Sequence, residues 1–274
     1  MEKKSTLIRF VKSRVPPTQS PMAPFPNPDD LTMNQDNIDH MSRIFKASWD
    51  IYETILAHDY MAHKRIFPIV ERACVDFSVQ SGNHPVSVWE LGCGSAHYSS
   101  QMLRSSPLAS YTGIDLAPNV LEVAREKLKV LGCPITLLAM DLFDAVQTTG
   151  QEADLVFSSY ALHHIHPVAR KAEFFKSLFN KVRPGGIFVL VDLFRDDGQS
   201  REEFLAGYEQ MIRTQWTLFQ GAVLEEVVSH CRTHDFPEDP TELNRVAVRA
   251  GWSNGSELCR FGFHRVFLFS KPRL

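Results

Sequence analysis

From Ile38 the apolar positions Met41, Ile44, Phe45, Trp49, Tyr52, Ile55 and Leu56 recur at steps of three and four. That period predicts an amphipathic helix. A second helical run covers residues 66–77, with Pro68 at a kink or at the start of its regular part. The pattern then shortens to strand-like apolar runs: 86–91, 111–114, 154–157 and 187–191. Helical stretches lie between them. One spans 118–131, with Pro118 in its first turn and Gly132 at its stop. Another carries Phe174, Phe175, Leu178, Phe179 and Val182 and ends by Pro184. Strands alternating with helices predict a parallel sheet covered on both faces.

After residue 195 the helical period returns. Ser200 with Glu203 makes a capping box. An apolar stripe then runs from Phe204 to Cys231, with Gly221 as its expected break. Residues 234–239 read as a loop. Asp239 and Pro240 open a short helix that Gly251 closes. Two final strands, near 257–261 and 265–269, predict a hairpin around Gly262.

Before all this, Pro16, Pro17, Pro21, Pro24, Pro26 and Pro28 crowd the N-terminus, so residues 1–31 read as a disordered tail. The predicted division is therefore a tail at 1–31, an N-terminal helical lid at 32–82, and a core at 83–274 with a helical insertion at 195–250. The 274 residues suit one α/β domain with additions, and the 44% apolar content suffices for a core. A net charge of −3 lacks the basic footprint of a nucleic-acid binder. No apolar run approaches the roughly 20 residues that cross a membrane. Cys74, Cys93, Cys133, Cys231 and Cys259 are scattered and odd in number, the pattern of reduced thiols in a cytoplasmic protein. The basic N-terminus reads as a tail rather than a targeting segment.

The chemistry concentrates at Val86-Ser87-Val88-Trp89-Glu90-Leu91-Gly92-Cys93-Gly94-Ser95-Ala96-His97 and at Asp115. A strand, two glycines and a later acid are the parts of a nucleotide-binding βαβ unit: the glycines allow close backbone approach and the acid bonds ribose hydroxyls. A dinucleotide favours a third glycine three residues on, where His97 stands. Glu90 sits where it could face a cationic ligand, either directly or through backbone amides or water.

These residues resemble the first motif of the class I S-adenosylmethionine-dependent methyltransferases, with Ala96 in place of the third glycine. Three more segments match in order: Gly113-Ile114-Asp115-Leu116, Met140-Asp141-Leu142-Phe143, and Asp154 through His164. Val182-Arg183-Pro184-Gly185-Gly186 resembles the family's turn into its fifth strand. The resemblance covers roughly residues 86–192. It implies a Rossmann-like, doubly wound, mostly parallel seven-stranded sheet and S-adenosylmethionine (SAM) as cofactor. It places Glu90, Gly92, Cys93 and Gly94 against the cofactor. Asp115 and Leu116 fall at the ribose, Asp141 and Leu142 at the adenine, and Ser158 at the fourth strand's end. Tyr60 and His63 of the helical lid would also meet the cofactor. His164, chosen from the group His163, His164 and His166, would serve as base, with Tyr160 beside it.

The function this implies is metal-independent methyl transfer, by direct displacement, to nitrogen or oxygen of a small molecule, natural-product or amino-acid-derived. No metal site is expected. The sequence leaves the oligomeric state open. Two other readings stay open: a protein methyltransferase, and a catalytically silent binding module with the same fold.

Overall fold

The computed structural model describes residues 49–148, 150 and 152–273. The expected tail and the first part of the helix expected from Ile38 lie outside the described residues. Two helices lead into the sheet, α1 (Trp49–Ala57) and α2 (His63–Gln80). Pro68 lies within α2 rather than at its start, so one rung of the helical ladder is missing there.

Strands β1 (Val86–Leu91), β2 (Leu108–Asp115), β3 (Ile135–Ala139), β4 (Ala153–Ser159) and β5 (Val182–Leu193) pair in parallel. Between them lie α3 (Ser99–Met102), α4 (Pro118–Leu128), α5 (Leu142–Thr148) and α6 (Val168–Lys181). Three helices follow β5: α7 (Arg201–Gln215), α8 (Gly221–His234) and α9 (Pro240–Arg249). The chain closes with β6 (Ser256–Phe261) and β7 (His264–Ser270), antiparallel to each other, and β7 runs antiparallel to β5. The spatial order is β3-β2-β1-β4-β5-β7-β6. The seven-stranded α/β sheet is therefore mixed, parallel through β5 and antiparallel at the β7-β6 edge.

Side chains on a strand alternate between faces, and the core divides accordingly. Val88, Leu155, Phe157, Val189 and Val191 join the core that also holds Ile66 and Val70 of α2 and Phe204 and Ile212 of α7. Trp89, Leu91, Val156, Phe188 and Leu190 face the other way, against Phe174, Phe175 and Leu178 of α6.

Several local signals act as the sequence suggests. Ser200 accepts from the N–H of Glu203 while Glu203 reaches back to the Ser200 N–H, completing the capping box. Asp239 likewise caps α9, its Oδ1 accepting from Glu242 N at 2.8 Å. Two local expectations change. The stripe from Phe204 to Cys231 is two helices, and the break begins at Trp216, well before Gly221. The Arg183-Pro184-Gly185-Gly186 turn lies inside β5 as a bulge: pairing steps from Ala153↔Val182 to Leu155↔Ile187, so residues 183–186 all lie opposite Asp154.

The fold positions a site at one place above all. β1 is flanked by β2 on one side and β4 on the other, so the order of the parallel strands reverses there. Ligands of open α/β sheets bind outside the carboxyl ends of the strands at such a reversal.

Candidate cofactor and acceptor site

A cavity of about 460 Å³ opens at this reversal. Its floor is the turn after β1. Gly92 has φ +72°, and a Cβ there would sit 2.5 Å from the Ala161 Cβ, so neither the backbone angle nor the space admits a side chain. Gly94 has φ +50° and lies under the ring of Tyr52. Ala96, where the third glycine is expected, keeps the left-handed backbone at φ +51° despite its Cβ.

Asp115 ends β2 and ties the turn together. Its Oδ2 accepts from Gly94 N at 2.8 Å and its Oδ1 from Ala117 N at 2.9 Å. The second bond serves the N-cap residue of α4, which has no side-chain cap of its own. Each carboxylate oxygen still has a lone pair for a ligand hydroxyl. Asp141 Oδ1 accepts from Phe143 N at 2.7 Å, at the start of α5. Burial raises the pKa of both acids, against the pull of these amides. Gly92, Gly94, Asp115, Leu116, Asp141 and Leu142 all line the cavity.

Glu90 is placed differently. Its buried carboxylate accepts from Ser99 Oγ at 2.6 Å and from the Tyr111 hydroxyl, and burial pushes its pKa up to about 7. It lines a small cleft behind the glycine turn, together with Cys93 and His63. Both ring nitrogens of His63 lack hydrogen-bond partners, and the ring stacks on Phe67 and Tyr98. Burial, then His264 and His97, lower its pKa to about 3.

Two expected residues give way to neighbours at the cavity wall. Ser158 turns inward and donates to the Leu91 carbonyl at 3.0 Å, while Ser159 lines the cavity. Tyr52, not Tyr60, covers the glycine turn. Tyr60 stacks on Trp216 at 5.3 Å and accepts from Leu218 N at 3.2 Å, joining the α1–α2 turn to the α7–α8 turn. Tyr160 lines the cavity at φ +54° and donates its hydroxyl to the Met61 carbonyl at 2.6 Å. That bond, and burial that raises its pKa well above the usual phenol range, make Tyr160 a brace between β4 and the α1–α2 turn.

The far end of the cavity is rich in histidine. His163 Nδ1 donates to Asp192 Oδ1, and the His163 N–H donates to Asp192 Oδ2 at 3.0 Å. Burial opposes charge on this ring, but Asp192 and Asp235 outweigh it and raise its pKa. His164 lies with Nδ1 3.1 Å from the His234 carbonyl; burial, His163 and His230 hold its pKa well below the usual range. His166 stacks on Phe236 at 4.0 Å. Asp235, between α8 and α9, is buried beside His163 and His164, and one donor atom from each of the three lies within 4.8 Å of the others. The sequence singles out neither Asp235 nor Asp192 as a partner of these histidines. Asp235 lies far along the chain from them, in a stretch that reads as loop.

Residues 88–186 match the family model described as "Methyltransferase domain". The chain is 24% identical to the carboxy-S-adenosyl-L-methionine synthase of Campylobacter curvus (strain 525.92), over 67% of this chain and 76% of that protein. It is 30% identical to the ubiquinone biosynthesis O-methyltransferase of Methylobacterium sp. (strain 4-46), over 39% of this chain and 40% of that one. The chain thus spans well under two thirds of the second relative's length. Among solved structures, magnesium protoporphyrin IX methyltransferase from Synechocystis PCC 6803 with bound SAM has a TM-score of 0.57 at 13% identity, covering 88% of this chain and 99% of that one.

Residues 88–186 carry a methyltransferase domain, and the chain has the fold of a SAM-bound methyltransferase of known structure. Within the matched segment fall Gly92, Gly94, Asp115, Asp141, Tyr160, His163 and His164. Tyr52, Asp192, His230 and Asp235 lie outside it. The methyltransferase domain match therefore takes in the glycine-turn end of the cavity, while helices outside the match build much of the opposite end. Among the described residues, no helix is long and apolar enough to cross a membrane.

Proposed function

We propose that the protein transfers the methyl group of SAM to a nitrogen or oxygen atom of a small-molecule acceptor by direct displacement. The observation that carries this reading is one continuous cavity. At one end it presents Gly92, Gly94, Asp115 and Asp141, and at the other His164, His230 and Asp235. The glycine turn admits the cofactor's amino-acid portion, Asp115 takes the ribose hydroxyls, and Asp141 meets the adenine. A volume of about 460 Å³ falls within the range of small-ligand pockets, about 300–1,000 Å³.

The donor's sulfonium carries the chemistry, and the protein supplies alignment and exclusion of water. Tyr52 of α1 covers the cofactor end, and α8 covers the acceptor end through Val227 and His230. A hydroxyl acceptor also benefits from a positioned base. His164 is the proposed base: it lines the cavity, and its surroundings keep the ring neutral. An acceptor of natural-product or amino-acid type fits this enclosed end.

Calorimetric titration of the full chain with S-adenosylhomocysteine (SAH) and with NAD tests the cofactor half. SAH should bind and NAD should not. Binding of NAD without SAH refutes the proposal.

A further inference from the structure

His63 is 1% exposed, and neither of its ring nitrogens has a hydrogen-bond partner among the described residues. Burying an imidazole with both nitrogens unpaired costs free energy. The ring is nevertheless held firmly among aromatic faces. Tyr98 stacks on it with centroids 5.2 Å apart, Phe67 lies at 5.9 Å, and Tyr160 meets it edge-on at 5.1 Å. A ring so fixed and so unpaired is prepared for a partner that the chain does not supply.

Its position says what that partner is. His63 lines the cleft behind the glycine turn, opposite Glu90, and Tyr52, Gly92 and Ser159 line both this cleft and the large cavity. The cleft holds about 20 Å³, room for one water-sized group, so anything larger enters from the cavity by displacing the Tyr52 side. On the methyl-transfer reading, on which this inference rests, the glycine turn admits the cofactor's amino-acid portion, which carries an ammonium and a carboxylate. Among the described residues no lysine or arginine lines the cleft; its bases are His63 and the exposed His97. Arg170 of the large cavity lies over Phe143, toward the Asp141 end. Lys127 donates to Ser95 Oγ at 3.1 Å. His63 also opens α2, whose first turn holds no acidic residue, so a helix N-terminus favours an anion there.

Burial, then His264 of β7 and His97, oppose charge on the ring and lower its pKa to about 3. Tyr98 and Tyr160, packed against it, are held neutral, mainly by burial. Glu90, Tyr52 and Cys93 stand across the cleft. An incoming carboxylate supplies the countercharge that these neighbours do not place against the imidazole.

We propose that His63 pairs with the carboxylate of the cofactor's amino-acid portion and takes a proton from solution as it does so. The neutral ring gains H⁺ and becomes imidazolium, and no bond of the cofactor breaks. One ring N–H then donates to the carboxylate, and the two charges are buried as a pair. His63 lies outside residues 88–186, so the domain match does not assign it this role.

The test titrates the full chain with SAH and with decarboxylated SAH, which keeps the amine and the sulfur but lacks the carboxylate. Calorimetry at pH 6.5 in two buffers of different ionisation enthalpy counts the protons taken up. Unpaired, His63 is neutral at that pH; paired with a carboxylate, its pKa returns at least to the ordinary value of about 6.5. The wild type should therefore take up at least about half a proton more with SAH than with the decarboxylated form. Glu90 meets the same amine in both ligands, so its own titration cancels. His63→Phe, which keeps an aromatic ring in the stack, should bind SAH about 10- to 100-fold more weakly. It should bind the decarboxylated form within about 3-fold of wild type and show no difference in proton uptake. Equal proton uptake for the two ligands in the wild type overturns the proposal without recourse to any variant. A folded His63→Phe that weakens both ligands alike overturns it too, and either result leaves SAM binding standing. A wild type that binds neither ligand refutes the methyltransferase reading and the proposal with it.

Discussion

Replacing Asp115 probes the join between fold and cofactor. Its two carboxylate oxygens accept from Gly94 N at 2.8 Å and Ala117 N at 2.9 Å, and each keeps a lone pair for a ribose hydroxyl. On the proposed cofactor reading, Asp115→Ala removes two bonds to the ribose together. Hydrogen bonds to a charged group contribute about 1.5–3 kcal/mol each, and two that share one carboxylate are not additive. A loss of about 2–4 kcal/mol in SAH binding follows, roughly 30- to 1,000-fold in Kd. The same change leaves two backbone N–H groups without their acceptor, at about 1–3 kcal/mol each wherever they stay buried, so the melting temperature should fall too. Asp115→Asn separates the effects: it keeps one acceptor oxygen and the packing but loses the charge, and should fall between wild type and alanine in both measurements. The assays are calorimetry with SAH and thermal denaturation of the same preparations. Unchanged SAH affinity in a folded Asp115→Ala protein would remove Asp115 from the cofactor site.

Ala96→Gly should stabilise the protein by about 0.5–1 kcal/mol, because relief of a left-handed alanine at φ +51° exceeds the added freedom of the unfolded glycine; denaturant unfolding that shows a loss would contradict this. His63→Phe should reduce acid sensitivity. The folded pKa of His63 is lowered to about 3 from an ordinary 6.5, so its contribution is intact above pH 6.5 and is lost as pH falls toward 3. Between pH 8 and pH 5 the wild type should lose about 2 kcal/mol more than the variant, and identical pH dependences of unfolding would count against the buried neutral ring. His164→Ala should cut turnover of a hydroxyl acceptor by roughly 10²–10⁴ with SAH affinity nearly unchanged; full turnover in a folded, SAH-binding variant would rule His164 out as base.

The glycine-turn end of the cavity was legible in the sequence because its determinants are local. Gly92 and Gly94 follow a strand directly, and Asp115 closes the next one, so strand period and spacing bring them together without long-range information. The capping box at Ser200 and the Asp239 cap were legible for the same reason. Ser158 and Ser159 differ by one residue, and one step along a strand reverses the face; the register of β4 against β1 decides which of them meets the cavity. Tyr52 and Tyr60 both lie in helical or turn segments near the N-terminus, and only packing against the glycine turn and Trp216 separates their roles. Asp192 and Asp235 were not legible as partners of His163, because the carboxylates reach it through β5 and through the end of α8. A contact between segments so far apart leaves no local periodic trace.

Whether this protein methylates small molecules is decided by following the methyl group itself. The purified full chain is incubated with SAM carrying a trideuteriomethyl group and a metabolite extract, and mass spectrometry then reads both the small molecules and the proteins. A small-molecule product should appear bearing the labelled methyl on nitrogen or oxygen, formed together with SAH and absent with Asp115→Ala. Label found on protein alone, or tight SAM binding with no labelled product from any extract, would overturn the assignment.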